Sequence, residues 1–395
     1  MSDITSTETI GTEAIATPAR LTAKAISEKL QGAAMVAILV GGFAMGMVTL
    51  ADQRAHEKLV ETSNLPAMLA GKTAAAINYA MAHYLPVDEA FREIGGVLRW
   101  RLFASGGPQV WSGRHDWLFL TEELRPWPDA ARIQETRADT VQHVAAQLHA
   151  RGIDLLVAVV PDKARLMAAE LDGPRAAENG PRFDAFVSQL RQRGLPVVDL
   201  NAPLAEAARA KQVFYRTDTH WNQDGAAIAA RAVAGAVTTG IDRSHPFRTE
   251  TAPAETDGPG DLLRLMSLDN VPDGLWLKLR PHADRQHLEK TVDAAPSDGG
   301  DLLGDASAIE VALIGSSYSV NANFIGRLRE ALSADVSNFA KAGGGFAGSA
   351  HSYFAGTAFR ETKPKLVIWE IPERVIGQPL TEDDRALETV FQARN

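Results

Sequence analysis

Residues 309–319 read IEVALIGSSYS, an apolar run that gives way at once to glycine and serine. Apolar residues at consecutive positions, without the alternation of a half-exposed strand, point to a strand buried on both faces, as in a parallel sheet between helices. Gly315 has no Cβ and permits a sharp turn at the strand's end, so Ser316, Ser317 and Ser319 fall at the carboxyl edge of the sheet. Outward from this stretch the pattern recurs. IDLLVAVVP (153–161) and Lys365 to Ile371 read as further buried strands, Pro196 to Leu200 as a shorter one, GRHDWLFL (113–120) as the first of the sheet, and DVSNFA (335–340) as strand-like. Helical text fills the gaps at 130–151, 183–193, 224–237 and 322–332. Strands alternating with helices make the fold class α/β, a parallel sheet flanked by helices. Residues 242–304 interrupt the alternation with clusters such as APAETDGPGD and DAAPSDGGD, and read as an insertion of loops around a hairpin.

The chain has 395 residues, 45% of them hydrophobic, enough for one large domain or two ordinary ones. Its 40 basic and 49 acidic residues leave a net charge of −9 with no long basic run, which argues against nucleic acid as a partner. An anionic polymer would need a local basic groove. There is no cysteine, so disulfides, thiolate metal sites and cysteine nucleophiles are excluded.

Residues 33–51, AAMVAILVGGFAMGMVTLA, carry no charge over 19 positions. At about 1.5 Å per residue this length nearly matches a hydrocarbon core of about 30 Å, and the segment is apolar on every face. A cleaved signal peptide is the rival reading, but about 32 residues precede the run and no A-x-A follows. Arg20, Lys24 and Lys29 before the span, against Arg54 and Lys58 after it, favour a cytoplasmic N-terminus. The expected organisation is a tail at 1–32, a transmembrane anchor at 33–51, a helical stalk or N-terminal layer at 52–105, and an α/β domain at 106–395. In the stalk, Val87, Phe91, Ile94, Leu98 and Leu102 recur at helical spacing, and His83 is taken as structural.

The chemistry centres on FYRTDTHW (214–221), where Asp218 stands two residues before His220. If the backbone is extended there, both side chains emerge on one side. A carboxylate accepting from one imidazole nitrogen leaves the other free to take a proton, the wiring of a general base. The nucleophile would then come from the 309–319 turn, with backbone N–H groups of the helix starting near Ala322 close to the serine. Plainer readings stand beside these: the serines cap a helix or satisfy a turn, Asp218 is a turn residue, and His220 is a satisfied, partially buried histidine. Asp218 and His220 could also be two ligands of a metal, but no further cluster of ligands is evident in sequence and no metal is expected.

Five stretches resemble a known family. FYRTDTHWNQDGA (214–226), GSSYSVNANFIGRL (315–328), GRHDWLFL, VVPDKARL (159–166) and LVIWEIPER (366–374) are similar to the alginate O-acetyltransferase J and X family, whose core is an SGNH-hydrolase-like α/β domain. The resemblance covers about Pro86 to Arg374. It implies that Asp218 orients, His220 acts as general base and acid, and Ser317, rather than Ser316, carries an acetyl group as an ester. The implied acceptor is a hydroxyl of an exported polysaccharide, alginate-like or cellulose-like. No cofactor is implied, the acetyl donor being delivered by a partner, a multi-spanning membrane-bound O-acyltransferase (MBOAT) beside an exopolysaccharide synthase or secretion complex. The implied location is the inner membrane with the catalytic domain in the periplasm. X-type members carry a C-terminal carbohydrate-binding domain, for which the 21 residues after Arg374 are too few, so the J-type is the nearer match.

Substrate or oxyanion candidates are Tyr318, Trp221, Arg216, Gly344 within KAGGGFAG (341–348), and Asn323. Arg216 and Lys163 could bind polymer carboxylates or hydroxyls, or one of them could pair with Glu370 or another acid, and His351 is taken as structural. A carbohydrate acetylesterase with the same residues and a non-catalytic scaffold or glycan-binding subunit are the alternative functions.

Overall fold

The computed structural model describes residues 23–85, 87–171, 180–273, 277–294, 309–362 and 364–391. The chain divides into two units, Met1–Arg92 and Glu93–Asn395. Most of the tail expected at 1–32, and residues 295–304 of the insertion, lie outside the described residues.

The first unit is helical. Helix Ala23–Ala51 contains one apolar stretch, Glu28–Ala51, with mean hydropathy 2.1, long enough to cross a membrane. Its large side chains face outward, with Phe43 72% and Ile38 69% exposed, as lipid contact requires. Helices Gln53–Thr62, Leu65–Leu69 and Lys72–His83 follow. His83 Nδ1 bonds the Tyr79 carbonyl at 2.8 Å and its ring stacks on Tyr79, a structural role.

In the second unit the strands are β1 (Val110–Ser112), β2 (Leu118–Leu120), β3 (Asp154–Val160), β4 (Val197–Asp199), β5 (Phe247–Asp257), β6 (Arg285–Asp293), β7 (Val311–Ile314), β8 (Val336–Asn338) and β9 (Leu366–Pro372). Five of them form a parallel sheet in the order β4-β3-β9-β7-β8. The alternation of side chains along each strand serves two cores. Leu156, Ala158, Val160, Leu313 and Ile368 face one layer of helices, and Leu155, Val157, Val159, Ala312, Val367 and Trp369 face the other. Burial on both sides is why these strands are continuous apolar runs, each large side chain contributing about 1.5–3 kcal/mol. Glu370 shares the face of Ile368 at the carboxyl end of β9, and so enters the core beside the turn that follows β7.

Two sequence expectations are corrected. GRHDWLFL does not start the parallel sheet: its Leu118–Leu120 pairs antiparallel with Val110–Ser112 in a separate ribbon, and residues 113–117 make the turn between them. The helix expected at Ala322 begins at Phe324, because Ala322 and Asn323 take positive φ angles that break helical continuity, and a short 3-10 turn, Ser317–Ser319, precedes it. The hairpin expected in the insertion is present, with β5 and β6 paired antiparallel.

Candidate active site

The turn after β7 is built around one buried carboxylate. A Cβ on Gly315 would lie 2.6 Å from Glu370 Oε2 and 2.9 Å from Ser319 Oγ, so only glycine fits there. Glu370 Oε2 accepts from the Ser316 N–H at 2.7 Å, from the Ser316 hydroxyl at 2.9 Å and from the Ser319 hydroxyl at 3.0 Å. Burial pushes the Glu370 pKa up, and the donors on Ser316 and Ser319 hold it down. Ser316 also accepts from the Tyr318 N–H at 3.2 Å. It is fully committed to the turn, while Ser317, next along, turns its hydroxyl to the surface.

The DTH segment is not extended. Phe214 bridges Trp221 antiparallel, and the Tyr215 N–H donates to the His220 carbonyl at 3.2 Å, so residues 216–220 form a bend. Both side chains still reach one site, by a different route: Asp218 Oδ1 curls back to accept from the His220 N–H at 3.0 Å and from Nδ1 at 2.7 Å. His220 Nε2 stands 2.7 Å from Ser317 Oγ. With Nδ1–H donated to Asp218, Nε2 is left to accept the Ser317 hydroxyl proton. Burial drives the Asp218 pKa upward, but the hydrogen bonds and charge of His220 and the N–H of Asp261 outweigh it, and the carboxyl settles at about 2.

Three residues hold this bend in place. Lys163, 0% exposed at the end of β3, donates from Nζ to the carbonyls of Arg216 and Asp218, each at 2.9 Å, and burial lowers its pKa to about 8. Asp284, from the insertion, accepts from the Arg216 N–H at 2.7 Å, its Nε at 3.0 Å and the Thr217 N–H at 3.3 Å. Asp261, also from the insertion, accepts from the Thr219 N–H at 2.7 Å and gives its own N–H to Asp218 Oδ2 at 2.9 Å. The sequence carried no signal for Asp261 or Asp284 beyond a loop-like insertion. Asp218, His220 and Asp261 bring possible ligand atoms within 4.8 Å of one another, the cluster that sequence did not reveal. Both ring nitrogens of His220 are already engaged, by Asp218 and Ser317, so a cation would have to displace one of those hydrogen bonds.

Other sequence candidates fall differently. Trp221 is 0% exposed and packs its ring 4.9 Å from Tyr318 and 5.0 Å from Phe324, inside the core and away from any substrate. Tyr318 is buried, its hydroxyl donates to the Thr219 carbonyl at 3.2 Å, and its ring sits edge-on 5.1 Å from His220, a wall behind the imidazole. Arg216 is paired with Asp284 rather than Glu370. Asn323 donates to Thr291 Oγ1 at 3.0 Å, tying its helix to the hairpin, whereas Asn321 lines the cavity beside Ser317. His351 bonds Asp383 at 2.8 Å.

Two cavities meet at Ser317. One of about 620 Å³ is lined by Asp257–Asp261, Arg264, Arg280 and Asn321; the other, of about 370 Å³, by Glu122, Gly344, Gly345, Arg374 and Gln378. His220, Asp261, Ser317 and Gly343 belong to both. Gly344, the sequence candidate for an oxyanion donor, spends its N–H on the Lys341 carbonyl at 3.1 Å. Gly343, at φ +73°, and Ser317 have backbone N–H groups without a partner among the described residues. The arrangement can therefore deprotonate a hydroxyl, make it a nucleophile, and present N–H donors to a developing oxyanion.

Residues 110–373 match the family model described as the SGNH hydrolase-like domain of acetyltransferase AlgX. The chain is 36% identical over 330 residues to the probable alginate O-acetylase AlgJ of Pseudomonas putida, covering 80% of this chain and 82% of that one. It is 34% identical over 333 residues to the counterpart from Pseudomonas aeruginosa, with the same coverage. Among solved structures, the O-acetyltransferase domain of Pseudomonas putida AlgJ superposes with TM-score 0.62 at 31% identity, over 73% of this chain and 100% of that one.

Proposed function

The chain belongs to the SGNH hydrolase-like acetyltransferase family of AlgX, and from that premise we propose that it is a polysaccharide O-acetyltransferase working through an acetyl ester on Ser317. The observation that carries the reading is the pair of 2.7 Å contacts on one imidazole, Nδ1 to Asp218 and Nε2 to Ser317. Ser317 Oγ attacks the acetyl carbonyl of the donor while its proton passes to His220 Nε2, and the N–H groups of Ser317 and Gly343 face the oxyanion. The leaving group departs with that proton. A sugar hydroxyl then gives its proton to Nε2 and attacks the ester; the bond to Ser317 Oγ breaks, the serine regains its proton, and the sugar leaves O-acetylated.

One N-terminal apolar helix fits a single-pass anchor, and relatives named as an alginate O-acetylase and an alginate biosynthesis protein support a role in exopolysaccharide biosynthesis. We place the catalytic unit in the periplasm, anchored in the inner membrane, with an MBOAT partner supplying acetyl groups.

Full-length protein incubated with an activated acetyl ester should acquire an acetyl group on Ser317 by peptide mass spectrometry. An adduct of undiminished yield in Ser317→Ala would overturn the assignment. Adding an oligosaccharide acceptor should yield O-acetylated sugar; an acceptor that stays unmodified while ester is consumed would make the protein an esterase.

A further inference from the structure

The insertion supplies one carboxylate to the centre of the site that the mechanism above does not use. Asp261 lines both cavities at the point where they meet, and its side chain is 23% exposed, against 3% for Asp218. We propose that Asp261 is a positioning residue of the acid–base unit: it fixes the bend through Thr219 and Asp218, and its second carboxylate oxygen, 3.7 Å from His220 Nδ1, stabilises the imidazolium formed when Ser317 gives up its proton. This rests on the acyl-transfer reading of the same site.

The two oxygens of Asp261 do different things. Oδ1 is spent on the Thr219 N–H. Oδ2 has the His220 ring as its near neighbour, outside hydrogen-bond length but close enough for charge to act through a partly dry site. Burial, followed by the charge of Asp218, raises the Asp261 pKa, and positive charge on His220 lowers it, so Asp261 is most favourably ionised when the imidazole is protonated. Asp218 alone could orient the ring; the second carboxylate adds charge stabilisation without competing for Nδ1–H.

Among the other charged or titratable groups around His220, Asp257, Arg264, Asp269 and Arg280 line the larger cavity and Glu122 the smaller. Asp218 bonds Nδ1, Tyr318 presents its ring edge, and Lys163 sits beneath the bend on two carbonyls. Asp284 is engaged with Arg216 and Thr217, and Arg374 lines the smaller cavity.

The test is the pH profile of acetyl-enzyme formation on full-length protein with an activated acetyl ester. Asp261→Asn keeps an oxygen for Thr219 and the backbone N–H for Asp218 but removes the charge. Its kcat/KM should fall about tenfold, and the acid limb of the profile should move to lower pH by about one unit, because less charge holds the imidazolium. A fall in rate with an unmoved limb would overturn the proposal, since a merely structural role lowers activity without moving it. Asp261→Glu, which retains charge, should leave the limb where the unmodified protein has it; a limb displaced as in Asp261→Asn would also overturn it. The unmodified protein separates the two readings. If it forms no adduct on Ser317, the acyl-transfer reading falls and takes this one with it; if it does and the limb of Asp261→Asn stays put, only the role of Asp261 falls.

Discussion

Glu370 holds Ser316 by both its N–H and its hydroxyl, at 2.7 and 2.9 Å, and this decides which of two adjacent serines can meet His220. Ser316 is held in the turn, and Ser317 is left to face His220. Ser316→Ala should keep acetyl-enzyme formation while costing about 1 kcal/mol of stability for the lost hydrogen bond. Ser317→Ala should leave the melting temperature nearly unchanged and abolish the adduct. Thermal melts combined with mass spectrometry check both, and the reverse pattern would reassign the nucleophile.

Gly315→Ala places a methyl group 2.6 Å from Glu370 Oε2 and 2.8 Å from its Cβ. The turn must shift to admit it, at a cost of about 1–3 kcal/mol. Because the shift acts on the residue next to Ser316 and Ser317, acylation should suffer more than folding, by tenfold or more at temperatures where the protein remains folded. Full activity in a folded variant would show that the turn is not held as described.

Lys163→Met removes a buried ammonium and strands the carbonyls of Arg216 and Asp218. Unsatisfied buried acceptors cost about 1–3 kcal/mol each. Denaturant unfolding should show a loss of this size, partly offset because the lysine no longer needs to be desolvated. Activity should fall as well, since the same two carbonyls belong to the bend that carries His220.

Acid stability should depend on Asp218. Its folded pKa, about 2, lies below the ordinary 3.8, so its contribution is present above about pH 4 and is lost as pH falls through 2. The shift corresponds to about 2 kcal/mol. The stability difference between the unmodified protein and Asp218→Asn, measured by denaturant unfolding, should be largest above pH 4 and shrink towards pH 2. A difference that does not vary with pH would contradict the pairing with His220.

The strands were legible because burial on both faces leaves a mark that needs no partner to be recognised: LLVAVVP (155–161) and VALI (311–314) are apolar at every position, whichever elements cover them. The apolar helix over 33–51 was legible for the same reason, being apolar on every face. Asp218 and His220 were found through their spacing of two, although the extended backbone first assumed there is a bend. GRHDWLFL misled because a short apolar run does not reveal its pairing partner, and β2 finds β1 rather than the sheet. Trp221 looked like a cavity wall because an aromatic next to His220 in sequence carries no sign of which way it points.

The amino-acid order by itself determined that this protein has a parallel α/β core, an apolar N-terminal helix and a glycine–serine turn at a strand's carboxyl end, because local burial and backbone freedom are written into neighbouring residues. Only the tertiary structure decided that Glu370 ties down Ser316, that Lys163 and Asp284 hold the histidine bend, and that Asp261 comes from an insertion to stand beside His220. Those relations join residues 41 to 68 positions apart, and hydrogen-bond geometry over such separations exists only after the chain has folded.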